Sequence, residues 1–442
     1  MLPGVNPPTA LREVISPVDA AWLRMDRETN PLTITSVLHF DEPVDAARLE
    51  AVVRERLLAY PRFVQRVDEG RLVSHWEPDP HFDLRNHFHR AALPSPGGRA
   101  ALGELVSDLM STPLDRSRPL WQLHCVEGYE GGSAVVMRLH HAIADGVALV
   151  GVMLSLTDEG TGLAVPSVGA PPPPPVGAVG MVKRIGAEAA TAGRLILLPS
   201  DPASALRGAL GSRKIAAWSG PIDLATIKAI ARRASAKVND VLMAAVSAAL
   251  LGYLEERGGV PAGADLRALV PVYLQGGRGD AGLGNHFGLV FFDLPLHVPD
   301  ALERVREARK RMDAIKSQPD AIVSLGVLMA MGVATPELEH LGIDLFTRKA
   351  SVMVTNVPAT SSRVHIAGKL LCSAVVWAPV SGSIGLGVSL LSYGGEVRLG
   401  VSSDAGVIPD PEAIVRAFER DVDAMRAASL AGAGGVDPER SW

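Results

Sequence analysis

Apolar positions along the chain follow two different periods. Thr33–Phe40, Trp121–Tyr129 and Ser133–His141 are rich in β-branched, aromatic and other apolar residues and read as strands. The last two, joined through Gly131-Gly132, read as a hairpin. Ala268–Leu274, Leu289–Leu294, Val352–Thr355 and Val397–Ser402 read as further strands, with Asn356-Val357-Pro358 as a turn after the third. Helical spacing alternates with these runs. Leu49, Val52, Val53 and Leu57 form a stripe behind an Asp45 N-cap, stopped by Pro61. Gly103–Met110 and Val147–Leu156 read as helices, and Val241–Leu254 as one apolar almost all round and therefore buried. Asp300 and Glu303 start a helix over Ala301–Lys316. Asp410-Pro411 opens a final one through Ile414, Val415, Phe418 and Val422.

The mixture of both patterns in both halves predicts an α/β (α+β) protein, and 442 residues suit two substantial domains. Composition shifts once. Asp158–Gly177 is rich in glycine and proline, with Pro171–Pro175 favouring extended backbone, so residues 158–214 are read as a linker and crossover helix. Domains of 1–157 and 215–442 follow. Val179–Leu198 has helical spacing and basic residues, and suits either packing across the domains or lying on lipid. The charge-free stretch between Lys369 and Glu396 is long enough to cross a bilayer. Pro379, Gly382, Gly385 and Gly387 interrupt it, so it is expected to form two buried strands and a turn. No transmembrane segment or signal pattern is expected.

The densest chemistry is Arg138-Leu139-His140-His141-Ala142-Ile143-Ala144-Asp145-Gly146. If Ser133–His141 is extended, Val135, Met137, Leu139 and His141 share one face and Ala134, Val136, Arg138 and His140 the other. One pocket can then receive one histidine, which predicts one base and one structural imidazole. Gly146 permits a turn or a close approach, and Asp145 suits a helix cap or an arginine partner. Taken alone, the pair also suits hydrogen-bonded core, or a metal site using His141 and Asp145. A serine hydrolase would need a G-x-S-x-G elbow, which this sequence lacks. His87 and His89 fall in a polar stretch and are expected to be solvated. Asn239 precedes a helix and suits an N-cap.

The flanking motifs sharpen this. Pro113-Leu114-Asp115-Arg116-Ser117-Arg118-Pro119-Leu120-Trp121 followed by His140-His141-Ala142-Ile143-Ala144-Asp145-Gly146 resembles the bacterial wax ester synthase/diacylglycerol acyltransferase family. That family lies within the coenzyme A-dependent acyltransferase superfamily. Ser16-Pro17-Val18-Asp19, Val238-Asn239-Asp240-Val241, Thr355-Asn356-Val357-Pro358 and Ser392-Tyr393-Gly394-Gly395 extend the resemblance over nearly the whole chain. It implies two chloramphenicol-acetyltransferase-like domains with the active site at their interface. His141 would be the general base on an alcohol attacking an acyl-coenzyme A, with His140, Asp145 and Gly146 completing the motif. Asn239 would donate to the oxyanion, and Asp240, Asn356 and Pro358 would lie at the substrate. Asp145 would pair with an arginine, for which Arg267 is the candidate. Two departures bear on substrate fit. The family's S-N-V-P-G-P reads Thr355-Asn356-Val357-Pro358-Ala359-Thr360, and Gln275 stands where an arginine is usual.

A net charge of −5 carries no basic signal for nucleic acid. Two cysteines, Cys125 and Cys372, suit a reducing interior rather than a disulfide framework. The expected partners are acyl-coenzyme A, as substrate rather than cofactor, and a lipid alcohol such as diacylglycerol or a fatty alcohol. No metal or separate cofactor is expected. The expected location is the cytoplasm, with peripheral association at the inner membrane face or lipid bodies. The alternatives are a superfamily acyltransferase with another alcohol acceptor, or a catalytically weak lipid-binding paralogue.

Overall fold

The computed structural model describes residues 12–70, 73–160, 191, 193–195, 197–259, 265–273, 285, 287–316, 320–331 and 336–431. The first half contains α1 (Pro17–Met25), β1 (Thr33–Phe40), β2 (Phe88–Ala92), α2 (Arg99–Ser111), β3 (Trp121–Tyr129), β4 (Gly132–His140) and α3 (Gly146–Ser155). The second half contributes β5 (Lys214–Trp218), α4 (Val238–Glu255), β6 (Arg267–Tyr273), β7 (Phe287–Asp293), α5 (Ala301–Lys316), α6 (Asp320–Met331) and α7 (Pro336–Thr347). It continues through β8 (Val352–Pro358), β9 (Ser373–Trp377), β10 (Leu386–Tyr393), β11 (Glu396–Asp404) and α8 (Pro411–Ala431).

Two sheets organise these elements. The first has the order β9-β1-β4-β3-β2, and the second β7-β6-β8-β10-β11-β5, with Ile222–Asp223 also pairing on β11. The two strands expected between Lys369 and Glu396 therefore part company. β10 lies in the second sheet, whereas β9 crosses to the edge of the first and pairs antiparallel with β1, Val375 opposite Val37. The boundary at residue 215 separates the sequence halves but not the sheets.

Local chemistry explains the main elements. The β3–β4 hairpin turns through Glu130 and Gly131, both at positive φ (49° and 85°), as a two-residue turn between right-twisted strands requires. A Cβ on Gly132 would lie 2.1 Å from the Phe40 carbonyl oxygen, so only glycine fits beside β1. Asp45 caps its helix, accepting from Ala47 N at 2.9 Å, and the Leu49, Val52, Val53, Leu57 stripe is buried across an α-to-π transition. Asp300 accepts from Glu303 N at 2.8 Å and starts α5 where the sequence indicated.

The faces of β4 separate as alternation requires. Val135, Met137 and Leu139 enter the core between the halves, while Ala134 and Val136 pack under α2 on the outer face. The inter-half core also takes in Leu269, Phe287, Met353 and Leu391, so both halves share one hydrophobic cluster. A further core surrounds α4, which packs against α5 and α8. Among the described residues α4 alone is long and apolar enough to cross a membrane, and it is largely buried in this core.

Several expectations are corrected. The strand β8 runs on through Asn356, Val357 and Pro358, which pair with Leu390, Leu391 and Ser392 of β10, so there is no turn at that point. Proline is tolerated there because β6 pairs with β8 only at Val352 and Met353, which leaves the strand open on that side at Pro358. His87 is buried, stacked between Phe82 and Trp121 at 5.2 and 4.9 Å, and His89 stacks on His124 at 4.8 Å. β2 pairs parallel to β3, placing His89 opposite His124. The centre of the expected linker and most of Val179–Leu198 lie outside the described residues.

Candidate active site

The site is built where β4 ends. His141 N donates to the Leu32 carbonyl at 2.8 Å, and Ile143 N donates to the His140 carbonyl at 3.0 Å, so the chain leaves the sheet in a tight turn. Asp145 then caps α3, accepting from Val147 N at 3.1 Å and Ala148 N at 3.0 Å. That cap fixes where the turn ends. A Cβ on Gly146 would come within 3.3 Å of Val357 Cγ2, so the glycine lets α3 begin close against β8 of the other half.

The two histidines divide as alternation predicts. His140 turns away from the inter-half space. Its Nδ1 accepts from Ala142 N at 3.1 Å and its Nε2 lies 3.6 Å from Asp26 Oδ2. His141 turns inward. Its ring stacks on Trp22 of α1 at 4.3 Å and 18°, with Phe287 of β7 at 5.6 Å on another side. Nδ1 is buried. Burial pushes the His141 pKa down to about 4, against the Asp145 charge and Asn285, which push it up. The imidazole is therefore neutral at physiological pH.

His141 lines a cavity of about 200 Å³ between the halves. Its wall is mostly apolar: Ile34 and Leu38 from β1, Leu149 and Met153 from α3, and Met353 and Leu391 from the second sheet. Asp145, Gly146, Thr355 and Asn356 supply polar positions on the same wall. The chemistry this allows is proton removal by a neutral base inside a mostly apolar space.

The remaining candidates lie off that wall. Asn239 is not the N-cap of α4. Lys237 holds that position, and Asn239 instead accepts from Asn356 Nδ2 at 3.1 Å. Asp240 turns back on its own helix, where Oδ2 accepts from Lys237 N at 2.8 Å; burial raises its carboxyl pKa. That contact gives it a capping role rather than a place on the cavity wall. Pro358 ends β8 and does not itself line the cavity, although Val357 and Ala359 on either side of it do. Arg267 does not pair with Asp145. Its Nε lies 3.3 Å from Asp201 and 3.6 Å from Asp293, because it opens β6 at the far end from the His141 turn.

The structure adds two residues that sequence reasoning missed. Asn285, just before β7, donates through Nδ2 to Asp19 Oδ1 at 2.7 Å and to the His141 carbonyl at 2.9 Å. It ties α1, the histidine turn and the second half together through one amide. Trp22 supplies the stacking surface for the base. The available signal was the asparagine in Gly284-Asn285-His286, just ahead of an apolar run. Asn285→Ala is expected to lower kcat about tenfold with KM for acyl-coenzyme A nearly unchanged, since a charge-assisted bond and a carbonyl anchor are lost. Steady-state kinetics on folded protein check this split. A purely structural role would lower Tm without moving kcat per folded molecule.

Family models match this frame. The wax ester synthase/diacylglycerol acyltransferase catalytic domain matches residues 15–175, and the C-terminal domain of the same family matches residues 283–426. The chain belongs to that family. It is an acyltransferase. A protein of Mycobacterium tuberculosis named as a diacylglycerol O-acyltransferase is 28% identical over 458 residues, covering 92% of this chain and 88% of its own length. Another, from Mycobacterium bovis, is 27% identical and is covered over 100% of its length, with 95% of this chain. The wax ester synthase/diacylglycerol acyltransferase from Marinobacter aquaeolei VT8 shares the fold, with a TM-score of 0.71 at 23% identity over 94% of this chain and 100% of that one. The first condensation domain of the calcium-dependent antibiotic synthetase shares it more distantly, with a TM-score of 0.63 at 16% identity, covering 98% of this chain and 99% of its own. The acyltransferase's two halves are thus chloramphenicol-acetyltransferase-like, and the His141 turn lies between them.

Proposed function

We propose that the enzyme esterifies a lipid alcohol, diacylglycerol or a long-chain fatty alcohol, with the acyl group of acyl-coenzyme A. The observation that carries this reading is a neutral, buried His141 on the wall of an apolar cavity between the halves. The alcohol oxygen attacks the thioester carbon while His141 takes its proton. The tetrahedral intermediate then collapses, the C–S bond breaks, and the imidazolium returns the proton to the departing thiolate. Asp145 favours the imidazolium electrostatically. The developing oxyanion falls to Asn356 on the wall, oriented by Asn239 behind it. Acyl-coenzyme A enters as substrate, and the scheme calls on no cofactor.

The acceptor is where this chain has its own character. Thr355, Asn356, Val357 and Ala359 all line the cavity, and this is the segment that departs from the family's usual S-N-V-P-G-P. That favours, as a second reading, a superfamily acyltransferase with a different alcohol acceptor. Peripheral membrane or lipid-body association belongs to the proposal too. Its support is the exposure of Met329 on α6 and of Leu341 and Leu345 on α7. Thioester consumption with long-chain acyl-coenzyme A, measured against diacylglycerol, hexadecanol and a sterol, tests the assignment. Coenzyme A release that depends on diacylglycerol or hexadecanol is the expected result. Release with the sterol alone favours the second reading, and no acceptor-dependent release with any of them refutes catalysis of this type.

A further inference from the structure

A second cavity, of about 250 Å³, lies on the other face of the first sheet. Strand alternation places it there: along β1, Ile34, Ser36 and Leu38 line the cavity that holds His141, whereas Val37 and His39 line this one. Part of its wall is apolar, but Arg99 from the start of α2, Arg398 from β11, His39 and Tyr129 also face it. The acyl-transfer scheme uses none of them.

Neither guanidinium is well satisfied by the protein. Arg398 Nε is buried with no hydrogen-bond partner; the Ser219 carbonyl is 3.4 Å from Nη1 and the Glu396 carboxylate 3.7 Å from Nη2. Burial pushes the Arg398 pKa down and the nearby Arg99 charge adds to the effect, opposed by Glu396, Tyr129 and Glu130. Arg99 lies over the Trp218 ring at 4.5 Å, with the Glu412 carboxylate 3.6 Å away. His39 Nε2 is buried without a hydrogen bond, 3.4 Å from Asp41 Oδ1, and its ring meets Tyr129 edge-on at 4.9 Å. The one acid on the lining, Glu130, is exposed, and its charge reaches Tyr129, Arg398 and His39, so an incoming anion must compete with it there. Two partly desolvated arginines with long ion pairs, beside a hydroxyl and an imidazole, leave hydrogen-bonding capacity that an anion would take up.

We propose that this cavity binds a small metabolite carrying an oxyanion, a carboxylate or a phosphate, held between Arg99 and Arg398 with Tyr129 and His39 as further partners. Guanidinium recognises both groups through paired N–H donors, and the cavity's size limits the ligand to a small one. The test is calorimetric titration of the full chain with inorganic phosphate, acetate and succinate in turn, at constant ionic strength. Saturable binding of at least one is expected, weakened about tenfold or more by Arg99→Gln and by Arg398→Gln. Phosphate binding alone identifies a phosphate-bearing ligand, and acetate or succinate binding a carboxylate. Arg99 is part-exposed, so its variant is expected to fold even if the other does not, with basal thioester turnover unchanged. No saturable binding of any of the three anions, or binding that survives Arg99→Gln at full strength, overturns the proposal.

Discussion

Replacing His141 with alanine is expected to lower acyl transfer by about 10²–10⁴-fold while the fold stays in place. The main-chain contacts that shape the turn do not depend on the ring: His141 N still reaches Leu32, and the His141 carbonyl still accepts from Asn285. The ring itself packs on Trp22 and Phe287 and borders the cavity, so its removal enlarges an existing space rather than stranding a buried charge. The same burial sets a pH signature. With the His141 pKa near 4, the acid limb of kcat/KM for the free wild-type enzyme is expected near pH 4, not near the ordinary 6.5 of imidazole. Thioester consumption by wild type and H141A across pH 3.5–8 (approximate limits set by the histidine range), with circular dichroism on both, decides the matter. Turnover of H141A within tenfold of wild type would remove His141 from the mechanism.

The histidine turn was legible in the sequence because its logic is local. Strand alternation sends Leu139 and His141 to one side and His140 to the other, and a glycine after an acid marks the start of α3. The same holds for Asp45 and Asp300, whose caps act over two or three residues. Contacts across long sequence separations were not legible. Asn285 meets Asp19 and His141 from 266 and 144 residues away, and no local pattern announces either bond. The exchange of β9 into the first sheet is hidden for the same reason, since its alternation would suit either sheet. The cap of α4 was misplaced by two positions because Asn239 is a good capping residue in isolation. Tertiary pairing with Asn356 and the Lys237–Asp240 contact outweigh that preference. Proline at 358 suggested a turn, yet a strand can carry a proline where it is paired on one side only, as β8 is there.

The second large effect concerns Arg267, and it falls on stability rather than catalysis. Arg267→Ala is expected to destabilise the protein by about 3–5 kcal/mol, because it strands a buried carboxylate. Asp201 has a fully buried side chain; it accepts from Ser351 Oγ at 2.6 Å and from Arg267 N at 3.0 Å, with the Arg267 guanidinium beside it at 3.3 Å. Arg267 also donates to the Pro199 carbonyl at 2.9 Å and the Lys349 carbonyl at 3.1 Å. This network fastens the chain leaving the crossover to the start of β6 and to the residue preceding β8. Burial already holds the Asp201 pKa above its ordinary value, opposed by the Ser351 and Arg267 hydrogen bonds and the Arg267 charge. Removing the guanidinium raises it further. For a carboxyl whose folded pKa lies above the unfolded one, the contribution to stability is complete below the unfolded value and is lost as pH rises through the folded value. The deficit of R267A relative to wild type is therefore expected to be larger at neutral pH than at about pH 5, where Asp201 can take up a proton. Denaturant unfolding of both proteins at the two pH values measures that difference directly. Turnover per folded molecule is expected to be unchanged, since Arg267 does not reach the cavity wall. A large loss of kcat in folded R267A, with a deficit independent of pH, would instead place Arg267 in the catalytic machinery.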